Sequence, residues 1–200
     1  MDYSLITHTL EESITVNGRV YRLDTRTTKA LQAFAITEED DETIPDEVRI
    51  SKVISIMLDH QSSLLLAHHT ADTMNVYRSI TAFLKGWPQD GKKKESGKEP
   101  VFSFAEDHAL IVAGFRQAYG VSLAELKSMH WWEFRALLMG MPEETVLSST
   151  MRIRAMDIDP KEPPKVKAAK RKAKEAVALK RTGGRAKTGE EIISDAFRGL

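Results

Sequence analysis

Six histidines, a serine pair and a long run of lysines and arginines are the residues here whose types could do chemistry. Their spacing decides what that chemistry is. His68 and His69 are adjacent, so on a helix they point about 100° apart and cannot face one ion. His60, His108 and His130 have no histidine partner four residues away, the spacing that builds a zinc-binding helix face. Ser148-Ser149 lies in no nucleophile elbow, and no glycine-rich loop is present to cradle a phosphate. The acidic pairs sit in solvated runs, and the chain has no cysteine, which excludes disulfides, thiolate metal sites and cysteine nucleophiles. A non-enzymatic protein without metal or cofactor is the expectation.

The basic residues point to binding instead. Formal net charge is zero, but the charge is segregated. Acids dominate up to His60, most densely at Glu38-Glu39-Asp40-Asp41-Glu42, whereas nearly every charge from Lys161 to Lys187 is positive. Such polarity fits an electrostatically steered partner or a head-to-tail contact between copies. Lys170, Arg171 and Lys174 are candidate partner contacts. The same tail could grip phosphates, but no aromatic residue is interleaved there to stack on bases, so a protein partner is expected over nucleic acid. The start of the chain lacks the basic and apolar segments of a signal peptide, and Ser62 to Ala67 is too short an apolar run to span a bilayer. A cytoplasmic location with no membrane partner follows as the expectation.

The elements that position these residues are mostly helical. Ile14 to Leu23 reads as a β-hairpin about Asn17-Gly18, a pair that tolerates the positive φ of a type I′ turn. Helices are expected over Thr28–Ile36, from a cap at Asp46 to about Leu58, and over Asp72–Lys85, where Met74, Tyr77, Ile80 and Leu84 recur at helical spacing. Gly86-Trp-Pro88 ends that helix, and a solvated loop (88–101) divides the chain into two halves. Ser103-x-x-Glu106 reads as a capping box for a helix over Ala105–Tyr119, and Ser122-x-x-Glu125 repeats the device. A tryptophan-bearing helix closes at Gly140, and a further one starts in Pro142-Glu143-Glu144 and runs to about Ala155. The fold class expected is mainly α: a compact helical domain (1–158) with a short N-terminal β-hairpin, then a basic, conditionally helical C-terminal tail (159–200).

Two helices carry most of the information. On the first, Phe104, Ile111, Phe115, Ala118 and Tyr119 share an arc, and Gly114 is placed for close approach of a neighbour. On the second, apolar residues cover well over half the circumference, which predicts near-complete burial. Arg135 falls inside that apolar arc between Trp131 and Trp132. A guanidinium there needs a carboxylate, an aromatic face or an escape to water. Two outcomes are open: an ion pair from Asp107 or Glu106 to Arg135 across the helix contact with a tryptophan face beside it, or a guanidinium that carries its head to water.

The pattern Phe102-x-Phe104-x-x-Asp107-x-x-x-Ile111-x-x-x-Phe115-x-x-x-Tyr119-Gly120, then His130-Trp131-Trp132-x-Phe134-x-Ala136-Leu137-x-x-Gly140-Met141-Pro142, then Met151-Arg-Ile-Arg154, resembles a bacteriophage family. That family takes its name from the fifteenth gene product of a temperate siphophage. The match covers about a third of the chain; the hairpin and Leu31–Phe34 fit only loosely. His108 and Ser122 depart from the alanine and aspartate of the family pattern, and Ser122 keeps a helix-capping role. The resemblance implies a tail-assembly protein, a chaperone for the tape-measure protein, acting in the host cytoplasm. The major tail protein and self-association are further partners it allows. Trp131, Trp132, Met139 and Met141 would then form an adaptable apolar groove, although the same spacing also serves a core. A nucleic-acid-binding phage protein and a structural component retained in the tail are the alternatives.

Overall fold

Asn17 and Gly18 take positive φ, 49° and 76°, the left-handed pair that lets a two-residue turn follow the twist of its strands. They join β1 (Ser13–Val16) and β2 (Arg19–Arg22), paired antiparallel with Ile14 opposite Tyr21. The computed structural model describes residues 10–38, 44–86 and 100–179. Among these, nine α-helices follow the hairpin. The expected mainly α class with a short N-terminal hairpin is the fold observed.

In the first half, α1 (Thr27–Glu38), α2 (Asp46–Met57), α3 (His60–His68) and α4 (Thr73–Lys85) pack about Ala30, Ala33, Val53, Met57, Val76 and Ile80, each fully buried. Small residues on α1 let α2 and α4 approach closely. Two start positions differ from expectation. Pro45 caps α2, and Asp46 is already its first helical residue, where its charge favours the helix dipole. The sequence reading also passed over α3, which Asp59 opens by accepting the Ser62 N–H at 2.7 Å. On α4, Met74 is exposed, and the buried set is Val76, Ile80, Phe83 and Leu84.

The second half contains α5 (His108–Tyr119), α6 (Leu123–Ser128), α7 (Trp131–Met139), α8 (Val146–Ala155) and α9 (Pro164–Ala176). Ser122 and Glu125 form the expected capping box on α6. Half of the box expected at Ser103 and Glu106 forms, Ser103 Oγ accepting the Glu106 N–H at 3.4 Å, but on a turn ahead of the helix. Ser103 lies on a turn before α5 and donates its N–H to the Asp107 carboxylate at 2.9 Å, so α5 opens at His108 rather than Ala105. Pro142-Glu143-Glu144 likewise forms a turn, and Thr145 caps α8 by accepting the Ser148 N–H.

The segment after β2 bonds to both halves. Asp24 N–H donates to Met57 O at 2.7 Å, where α2 ends. Thr27 N–H then donates to Met129 O, and Trp131 N–H to Thr25 O, both at 2.8 Å, where α6 gives way to α7. Between these joints the core is aromatic. Phe115 stacks on Phe134 with ring centroids 5.1 Å apart, and Trp131 stacks on Phe134 at 5.6 Å. All three rings are buried, so truncating any to alanine would cost about 3–5 kcal/mol.

Candidate functional site

Arg135 and Asp107, expected as partners, each have another one. The Asp107 carboxylate is 1% exposed and takes a two-pronged ion pair from Arg154, with Nη1 at 2.7 Å and Nη2 at 2.8 Å. Arg154 also donates from Nη1 to Val101 O at 3.1 Å and from Nε to Val177 O at 2.5 Å. One guanidinium therefore ties α8 to the entry of α5 and to the end of α9. The planar fork matches a carboxylate in a way a lysine ammonium could not.

Arg135 instead reaches α4. Its Nη1 donates to Leu84 O at 2.9 Å and Gly86 O at 2.6 Å, and its guanidinium lies 5.7 Å from the centre of the Trp131 ring. The indole N–H of Trp131 donates to Leu84 O at 3.0 Å, and that of Trp132 to Phe83 O at 3.1 Å. Three side chains of α7 thus serve carbonyls at the C-terminus of α4, which have no acceptor role left within that helix. A cation is favoured there because the helix dipole is negative at that end. Burial pulls the Arg135 guanidinium below its usual value. The expected ion pair from Asp107 or Glu106 to Arg135 is replaced by these carbonyl bonds.

His130 prepares α7 for this task. Its Nδ1 accepts the Trp132 N–H at 3.2 Å as an N-cap, and its Nε2 faces Glu11 O at 3.1 Å. Both contacts are met by the neutral ring protonated on Nε2. Burial holds the His130 pKa below the ordinary histidine value, against the opposing pull of the Glu11 carbonyl, Glu12 and Glu133.

The candidate partner residues are scattered. Trp131 and Trp132 are 1% and 6% exposed, so the apolar groove they were expected to line is core. Met141 is half-buried, its sulfur 2.7 Å from where a Cβ on Gly114 would stand, which is the close approach expected at that glycine. Met139 is 75% exposed at the end of α7. On α9, Lys170 pairs with Glu162, and Lys174 donates to Met156 O at 2.9 Å. Arg171 is exposed, as are Lys165 and Lys172 of the same basic run. Inward anchoring of alternate lysines thus leaves one cationic face outward.

Asp72, also missed, is 2% exposed and accepts from Asn17 Nδ2 at 2.7 Å, Tyr21 OH at 2.8 Å and Arg19 Nη1 at 3.1 Å. These bonds fix the hairpin to the start of α4. The bonds from Asn17 and Tyr21 hold the Asp72 carboxyl below its usual range.

Among the described residues, no cluster of three His, Asp or Glu could hold a metal ion, and no helix is long and apolar enough to cross a membrane. Comparison with curated proteins and with solved structures finds no match. The family model described as Bacteriophage Gp15 protein matches residues 6–179, from ahead of the hairpin to the end of α9. The chain belongs to the Bacteriophage Gp15 protein family.

Proposed function

We propose that this phage protein is a non-enzymatic tail-assembly chaperone that holds the long, helical tape-measure protein in the host cytoplasm until tail subunits replace it. One observation carries the reading. The residues that carry the family resemblance are occupied in building the core and capping α4, while α9 presents Lys165, Arg171 and Lys172 to solvent. A rigid body that displays a cationic helix suits an acidic, extended helical partner better than a small substrate. Met139, exposed at the end of α7, supplies a flexible apolar contact beside it in function if not in position.

Co-expression of the full chain with the product of the adjacent long helical reading frame tests this. The expected result is co-capture and a gain in soluble partner, weaker at high salt and weaker for the combined Lys165→Glu, Arg171→Glu, Lys172→Glu variant. No capture together with no gain in partner solubility would overturn the chaperone reading.

A further inference from the structure

The α2, α3 and α4 helices leave an open groove of about 440 Å³ on the outer side of the core residues Ile54 and Leu66. Its floor is Ile50, Ile54, Leu66, Ala67 and Met74, and among its lining residues Glu47 alone is charged. Asp46 precedes Glu47 in the exposed first turn of α2, so one end of an apolar trough is acidic. Met74, 45% exposed, shows how much apolar surface is left open to water there.

The complementary surface is on α9 of the same chain. At about 100° per residue, Val166, Ala169 and Ala176 lie along one flank of this helix, with Lys165 and Lys172 beside them. All five are exposed, Val166 at 42%. The helix cannot swing over to its own groove while it is held down. Arg154 fixes the Val177 carbonyl, Lys174 the Met156 carbonyl, and Lys170 pairs with Glu162. Its packing partner is α8, whereas two of the groove helices, α2 and α4, pack on α1 and the third, α3, on β2.

We infer that the α2–α4 groove is the docking site for α9 of a second copy of this chain, with Lys165 and Lys172 meeting Asp46 and Glu47. Groove and helix are different surfaces, so the contact is head-to-tail and leaves a free groove at one end and a free α9 at the other. Such a contact propagates into a ring or an open filament rather than stopping at a symmetric pair. Lys165 and Lys172 also serve the tape-measure reading, so a second copy and that partner would compete for one face of α9, and self-association is read on the chain alone.

Sedimentation velocity on the full chain, across concentration at low and high salt, reads it out. Low salt should give a series of oligomers that shifts toward monomer as salt screens the exposed pairs. A groove variant (Asp46→Asn with Glu47→Gln) and a helix variant (Lys165→Gln with Lys172→Gln) should each self-associate about tenfold more weakly. Mixing the two defective variants leaves one intact groove, with its Asp46 and Glu47, on the helix variant and one intact α9 on the groove variant. That mixture should form a one-to-one dimer that grows no further. A monomer at every concentration in low salt would overturn the inference, and so would variants that associate like the parent or a mixture that yields no dimer.

Discussion

Asp107 and Arg154 face each other through two parallel hydrogen bonds of 2.7 and 2.8 Å, 47 residues apart in sequence and almost sealed from solvent. Because the same arginine holds Val101 O and Val177 O, this pair decides where α5 begins and where α9 lies. Removing one partner strands the other's charge in the core. Asp107→Asn or Arg154→Met should each lower the unfolding free energy by about 3–5 kcal/mol, measured by urea titration. The double variant should cost much less than the sum. Arg135→Met combined with Asp107→Asn should be additive to within about 0.5 kcal/mol, as expected of groups with no shared partner.

Arg135 has its own role at the end of α4. Its loss leaves Leu84 O with the Trp131 indole donor and removes the side-chain donor to Gly86 O. Arg135→Met should cost about 1.5–3 kcal/mol, the usual range for a hydrogen bond to a charged group, in equilibrium unfolding followed by tryptophan fluorescence. Arg135→Lys should recover only part of it, because an ammonium lacks the flat face that lies against Trp131.

Much of this fold was legible because local rules set it. Asn17-Gly18 needs only its own backbone freedom to turn, and Ser122 with Glu125 caps a helix without outside help. Gly114 was also legible, since a gap in a helical apolar arc asks for a neighbour. The pairing of Asp107 was not. Asp107 at the start of α5 and Arg135 on α7 stand on helices that pack together, yet the carboxylate is claimed by an arginine farther along the chain on α8. Lone side chains carry no label for a long-range partner, and Asp72 hid for the same reason, reading as one more acid before a helix. The basic run likewise concealed that Lys170 and Lys174 turn inward while Lys165 and Lys172 turn out.

His130 makes stability fall on mild acidification. Its folded pKa lies below the ordinary histidine value of 6.5, so its contribution is complete above that value and is lost as pH drops through the folded one. Protonation also turns the Nδ1 acceptor into a donor facing the Trp132 N–H. A second loss follows in the carboxylate range, where Asp24, Asp59, Asp72 and Glu125 are all held low. Thermal melts between pH 7.5 and 4.5 should show the first step in the parent and not in His130→Asn, which keeps a capping oxygen but cannot titrate.

Gly114 should tolerate alanine and reject a branched side chain. The nearest atom to an added Cβ is the Met141 sulfur, the mobile end of a long side chain, so Met141 can move while α5 gains helix propensity. Gly114→Ala should stay within about 1 kcal/mol of the parent in urea titration. Gly114→Val should lose about 1–3 kcal/mol through overpacking against Leu147.

The tryptophan helix builds the scaffold, and the proposed partner surface is α9. Hydrogen–deuterium exchange on the full chain, alone and co-purified with the long helical partner, tests it most directly. With the free chain diluted to monomer in high salt, new protection is expected over α9, with the Trp131–Phe134 segment slow to exchange in both states. A complex in which protection changes at Trp131–Phe134 and α9 stays as in the free protein would contradict it.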